Sequence, residues 1–235
     1  MHWQLHNTDA IAWLIDQSPD QFDALVTDPP YSSGGLHTKD RTADSANKKY
    51  LSSPSLYPEF AGENRDQFSY MQWSTLWLTA AHRTLKPGAP AMIFTDWRQL
   101  AVMSSAIQAA GFTLRGCIAW DKTEAVRPQK GRFRQQAEFI LWGSKGPWHD
   151  KAGPTHPGVF RVPVTAGGPK RHTTGKPVPL MEALVKACPP GIVLDPFAGS
   201  ASTGVATLRS GRRFVGVERE EAYYRIACER LSEEG

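Results

Sequence analysis

The feature that most constrains this chain is a regular alternation between short apolar runs and stretches of helical period. Asp23, Ala24, Leu25, Val26 and Thr27 form an apolar run that halts at Asp28-Pro29-Pro30, as a buried parallel strand does. From Phe68 to Leu85, the residues Trp73, Leu76, Trp77, Ala80 and Ala81 recur at helical spacing until Lys86-Pro87-Gly88 breaks the pattern. Pro90 to Thr95 reads as a strand, Arg98 to Ala110 as a helix ended by Gly111, and Thr113 to Trp120 as a strand. Ala137 to Trp142 is a further strand that follows a polar stretch, so it and its predecessor are expected to form a long-looped antiparallel hairpin. Val178 to Ala187 is helical in period; then come a strand to Leu194, a helix from Ser202 to Ser210, a strand from Phe214 to Val217 and a helix from Glu220 to Leu231. Such alternation predicts an α/β, doubly wound, mostly parallel sheet with helices on both faces and the hairpin at its edge.

The 235 residues and 40% hydrophobic content suit a single domain over 1–235. Two stretches lack periodicity: 32–67, polar and read as a mobile loop, and 143–175, rich in Gly and Pro and read as a functional loop. No apolar run of about 18 residues and no signal-peptide pattern is present, which predicts a cytoplasmic protein with no membrane partner. Three widely spaced cysteines, Cys117, Cys188 and Cys228, suit neither a disulfide framework nor a zinc site, so no metal is expected.

Two segments carry chemistry. In Asp195-Pro196-Phe197-Ala198-Gly199-Ser200-Ala201-Ser202-Thr203-Gly204 a strand gives way to a helix through small residues. Backbone amides there can approach a ligand at the carboxyl end of the sheet, although a capped turn with no ligand has the same composition. Glu218 lies at the end of the next strand, about 20 residues on, where an acidic side chain reaches ribose hydroxyls in nucleotide-binding sheets. The second segment is Asp28-Pro29-Pro30-Tyr31. As plain structure it is a rigid turn. As chemistry it supplies a carboxylate and a fixed carbonyl that accept from the amine of an adenine or cytosine, whose lone pair is delocalised into the ring. Both acceptors favour a more tetrahedral nitrogen and stabilise the positive charge that develops there. Tyr31 adds a ring on which an unstacked base can lie.

On these motifs the chain resembles the permuted, beta-class amino DNA methyltransferases, in which Asp-Pro-Pro-Tyr precedes the Asp-Pro-Phe-x-Gly-Ser-Gly cofactor motif; here position 28 precedes position 195. Protein-glutamine and most RNA amino-methyltransferases have the opposite order. His172 to Pro177 is similar to the segment before the cofactor strand, Trp120-Asp121-Lys122 and Glu138 to Trp142 to the paired edge strands, and Asp9 to an acidic cofactor residue. The resemblance implies a Rossmann-like, circularly permuted methyltransferase fold with seven strands, the first near Trp3, and neighbouring chain ends. It implies S-adenosylmethionine as cofactor, held by Asp9, Thr174, Lys176, Asp195, Phe197, Gly199, Ser200, Ser202, Thr203 and Glu218, with Asp28, Pro29, Pro30 and Tyr31 catalytic. Ala201 stands where the family usually has Gly, so a positive φ there would require the turn to relax.

A formal charge of +4 permits a polyanionic partner without demanding one. Lys122, Arg127, Lys130, Arg132 and Arg134, with Phe133 among them, lie between the hairpin strands and suit contact with DNA phosphates; a solvated hairpin tip has the same composition. Lys48, Lys49, Lys170 and Arg171 would extend that surface. The expected activity is methyl transfer to the N6 amine of adenine in double-stranded DNA by direct attack of a flipped base. The alternatives are an N4-cytosine enzyme and a catalytically silent DNA-binding subunit. The family's adenine enzymes usually begin the tetrapeptide with Asp and its cytosine enzymes with Ser; recognition of the DNA sequence by 32–67 and by 143–171, the greater part of the 143–175 loop, and across a homodimer, is a further expectation.

Overall fold

The computed structural model describes residues 2–32, 65–128, 130–148, 153–164 and 175–234. The described elements run β1 (Trp3–His6), α1 (Ala10–Asp16), β2 (Ala24–Thr27), α2 (Gln67–Thr84), β3 (Pro90–Thr95), α3 (Leu100–Ala109), β4 (Thr113–Asp121) and β5 (Ala137–Ser144). After these come β6 (Val159–Arg161), α4 (Val178–Lys186), β7 (Ile192–Asp195), α5 (Ser202–Arg209), β8 (Arg213–Val217) and α6 (Glu221–Glu234). The strands form one sheet in the order β1-β8-β7-β2-β3-β5-β4-β6.

Alternate residues of the central strands bury against opposite layers, as period-two side chains of a sheet covered on both faces must. Leu25, Ala91, Ile93 and Leu194 pack with α1, α2 and α3, around Trp77, Leu78 and Met103. Ala24, Val26, Met92, Phe94 and Val193 pack on the other side with Leu180, Met181, Leu184 and Val185 of α4. A smaller cluster of Ala198, Ala201, Phe214, Ala227 and Leu231 seats α6 against the cofactor turn. Asp66 caps α2, its carboxylate accepting from the amides of Phe68 and Ser69.

Two expectations are corrected. Among the described residues the sheet has eight strands, not seven, and the β4–β5 hairpin is not its edge, because β6 pairs in parallel with β4 through Ala119, Trp120 and Asp121. The extra strand falls within 143–175, read from its Gly and Pro content as a loop; it is three residues long, too short to show a period. Helix α1 was also unforeseen: Asp9 starts it by accepting from Ile11 and Ala12, yet in seven residues only Ala10 and Leu14 are buried. Residues 33–64 and 165–174 lie outside the described residues, and with them most of 32–67, Lys48, Lys49, Lys170 and Arg171.

What positions the site is the pairing of β2 with β7. They run parallel with Leu25 opposite Leu194, so Asp28 and Asp195 emerge at the same end of adjacent strands. The permutation is visible at the far side of the sheet, where β1 pairs in parallel with β8, the strand that leads into α6. Asn7 fastens the two by donating to the carbonyls of Glu218 and Arg219 at 2.8 and 3.0 Å.

Candidate active site

A cleft of about 540 Å³ opens at the carboxyl ends of β2, β7 and β8. That volume is in the range of small-molecule sites. It is lined by all four predicted catalytic residues and by Asp9, Lys176, Asp195, Phe197, Gly199, Ser200, Ser202, Thr203 and Glu218. Thr174 lies outside the described residues.

One half of the cleft is the small-residue turn. Asp195 is not a free ligand group: it is 2% exposed, and its Oδ1 accepts from the Thr27 hydroxyl at 2.7 Å and the Phe197 amide at 3.1 Å. Burial pushes its carboxyl up to about 6, against the hydrogen bonds from Thr203, Thr27 and Phe197; nearby Asp28 adds to the rise. Gly199 and Ala201 both have positive φ, 52° and 60°, and Ala201 keeps the left-handed conformation with a fully buried methyl group. The turn therefore holds its shape without the glycine expected at that position.

Glu218 closes the turn from β8. Its Oε2 accepts from the Gly199 amide at 2.8 Å and its Oε1 from the Glu220 amide at 2.7 Å. Burial raises its pKa, and the Glu220 and Gly199 amides oppose that rise. Arg230 of α6 binds the carbonyl and hydroxyl of Ser200 and the Ser202 hydroxyl from below. Phe197 extends an aromatic wall by meeting Trp77 edge-on at 5.1 Å and Trp73 at 5.5 Å, and Arg65 stacks over Trp73 at 4.6 Å.

The other half is a buried charge network. The Tyr31 hydroxyl donates to Asp28 Oδ1 at 2.5 Å, and Lys176 Nζ meets Asp28 Oδ2 at 2.7 Å. The same ammonium reaches Glu138 Oε2 at 3.2 Å, and Lys122 Nζ holds Glu138 Oε1 at 3.0 Å. Tyr31 and Phe94 surround Lys176 with ring centroids 5.2 Å away, and Trp120 is at 5.9 Å. Burial alone would lower the Lys176 pKa, but Asp28 and Glu138 raise it well above the ordinary lysine value, so the ammonium is fixed. Burial, with Asp28 and Glu138 beside it, holds the Tyr31 phenol well above its usual range.

The predicted DNA-contacting residues divide. Lys122 is not on the hairpin surface: its side chain is 14% exposed and committed to Glu138. Two residues beyond buried Trp120, it turns inward on the same face of the strand. Arg134 donates to the carbonyls of Glu124 and Val126 at 2.6 and 3.1 Å, which ties the hairpin loop to itself. Arg127, Lys130 and Arg132 are exposed, and Phe133 at their centre is 94% exposed.

Residues 22–229 match the N6/N4 methyltransferase family of DNA methylases. The chain belongs to this family. A putative methylase, YubD of Escherichia coli (strain K12), is 32% identical over 212 residues, covering 89% of this chain and 82% of its own. Among solved structures, the complex of M1.HpyAVI with SAM has a TM-score of 0.69 at 24% identity, covering 97% of this chain and 98% of that one. The cytosine-N4-specific PvuII DNA methyltransferase has a TM-score of 0.73 at 18% identity, covering 98% of this chain and 86% of that one. At those identities the two structures bear on the fold, and they share it with this methylase.

Glu138, Trp73 and Arg65 line this methylase's cleft and Arg230 supports its turn, and none of them is among the predicted site residues. Glu138 had a legible signal, since an acid inside an apolar strand (Phe139-Ile140-Leu141-Trp142) is costly unless paired. Arg230 had none, because its partners are 28 and 30 residues away.

Proposed function

We propose that this methylase transfers a methyl group from S-adenosylmethionine to the N6 amine of adenine in double-stranded DNA. The observation that carries the reading is the juxtaposition of Asp28 with the small-residue turn across β2 and β7, sealed by the bond from Thr27 to Asp195. The residues present fit the cofactor. Phe197 and Trp73 offer apolar rings to its adenine, Glu218 offers a carboxylate to ribose hydroxyls, and Asp9 is at the lip. S-adenosylmethionine supplies an electrophilic methyl on a sulfonium.

This chain's residues then act on the base. Asp28 and the Pro29 carbonyl accept hydrogen bonds from the two N–H groups of the amine, which turns the nitrogen lone pair toward the methyl carbon. As the new C–N bond forms and the C–S bond breaks, positive charge passes from sulfur to nitrogen, and the Asp28 carboxylate stabilises it there. One amine proton then passes through the Asp28 carboxylate to solvent, which restores the neutral base. The Tyr31 hydroxyl, bonded to Asp28, fixes the angle of the ring against which the flipped base stacks. Adenine is preferred to cytosine because the tetrapeptide begins with Asp. Arg127, Lys130 and Arg132, with Phe133, are assigned to the DNA backbone and groove. Nucleoside analysis of DNA methylated by the purified protein tests the reading: N6-methyladenine supports it, N4-methylcytosine moves the base assignment, and no methylation returns the chain to a silent DNA-binding subunit.

A further inference from the structure

The hairpin contributes two charges to the cleft wall that the motifs do not include. Glu138 lies opposite Trp120 in the β4–β5 register, and Lys122 follows β4, its amide bonded to the Gln136 carbonyl at 2.8 Å. Lys122 and Glu138 are therefore diagonal neighbours on one face of the hairpin. Their side chains are 14% and 18% exposed, and Lys176 is 14% exposed. Buried ion pairs are poor stabilisers, since desolvation offsets much of their attraction. Three largely buried charges, Lys122, Glu138 and Lys176, in line with the part-exposed Asp28, call for a purpose other than holding a hairpin together.

Resting on the amine methyl transfer proposed above, we propose that Glu138, held by Lys122, is a positioning residue that shares the Lys176 ammonium and so keeps the Asp28 carboxylate available to the target amine. Both oxygens of Asp28 are engaged, Oδ1 by Tyr31 and Oδ2 by Lys176. Each oxygen keeps a second lone pair, so an entering amine shares one of them with its present partner or takes that contact over. A cation resting on Asp28 alone would neutralise the carboxylate just where positive charge develops during transfer. Glu138 gives that cation a second anchor at 3.2 Å, so Lys176 can stay in place and charged while yielding Oδ2. Lys122 on Oε1 fixes Glu138 in turn, and the two lysines hold its carboxyl below the usual range against the opposing effect of burial. Tyr31, whose hydroxyl is 3.5 Å from Glu138 Oε2, faces the same carboxylate.

The test uses Glu138→Gln, which keeps size and hydrogen-bonding oxygen but loses the charge. At saturating cofactor, single-turnover methyl transfer to DNA should fall about 10- to 100-fold, less than the 10²–10³ typical of removing a direct transition-state partner. Cofactor affinity by calorimetry and DNA affinity should stay within about threefold, which also shows that the variant is folded. In the parent, Lys176 stays charged across the assay range; in the variant it loses one of the two carboxylates that raise its pKa. Removing the cation as well, in Glu138→Gln with Lys176→Met, should restore rate relative to Glu138→Gln alone at saturating cofactor. A purely structural role for Glu138 predicts that removing the cation as well leaves the rate at or below that of Glu138→Gln alone. A Glu138→Gln variant that works at the parental rate, or a double variant no faster than the single one, overturns the assignment while a methylating parent leaves the proposed function standing. A parent that transfers no methyl group overturns both.

Discussion

On the proposed mechanism, replacing Asp28 with Ala removes the anion assigned to the charge that moves during transfer. A carboxylate oxygen in hydrogen-bond contact with the amine lies about 3 Å from the nitrogen, where unit charges at an effective dielectric of about 20 interact by roughly 5 kcal/mol. With about half the charge developed at the transition state, the barrier rises by roughly 3 kcal/mol, or a factor of about 10² in rate. The missing hydrogen bond pushes the effect toward the 10²–10³ typical of an electrostatic partner. Cofactor binding should change by less than about threefold, because Phe197 and Glu218 belong to other strand ends and keep their partners. Lys176 retains Glu138, so the ammonium is not stranded without a partner. Single-turnover incorporation of labelled methyl groups into DNA, beside calorimetric titration with S-adenosylmethionine, measures both quantities. Near-parental incorporation would falsify the role given to Asp28, and loss of cofactor binding would place its carboxylate in the wrong half of the cleft.

Three further outcomes follow from the same geometry. Glu218→Gln should weaken S-adenosylmethionine binding by roughly 10- to 100-fold through loss of a charge-assisted hydrogen bond, and unchanged calorimetric affinity would remove Glu218 from the ribose site. Asp195 keeps its proton up to about pH 6 in the folded protein and releases it near 3.8 when unfolded, so its contribution to stability falls as pH rises between those values, by roughly 3 kcal/mol. Urea unfolding should therefore show Asp195→Asn gaining on the parent between pH 4 and 7; a gap independent of pH contradicts the burial argument. Neutralising Arg127, Lys130 and Arg132 together should flatten the salt dependence of DNA binding by about one unit of slope for each phosphate that they neutralise in the parent, and an unaltered slope would return them to a solvated hairpin tip.

The central strands were legible because burial on both faces leaves a continuous apolar signature, and all four residues of β2 are buried. The permuted order was legible only through the family resemblance, since parallel strands deliver Asp28 and Asp195 to the same end of the sheet in either order along the chain. The short elements were not legible: α1 and β6 are held by neighbours rather than by their own periodicity. Reading Lys122 as a surface cation was an error of context. Lys, Arg and Asp in a hairpin suggest solvent, yet the alternation from Trp120 assigns Lys122 to the inner face, and only the three-dimensional partner Glu138 shows why a cation is tolerated there. Asp195 shows the opposite limit. Its position at a strand end suggested a ligand group, and its bonds to Thr27 and Phe197 make it a support of the turn, so its replacement alters stability as well as the pocket.

The measurement that bears most directly on the whole account is the identity of the methylated nucleoside. Purified protein incubated with isotopically labelled S-adenosylmethionine and double-stranded DNA, followed by digestion and mass spectrometry, should yield label chiefly in N6-methyladenine. Label confined to N4-methylcytosine would replace the base while keeping the amine chemistry of Asp28, whereas label in 5-methylcytosine, or none in DNA at all, would contradict the account.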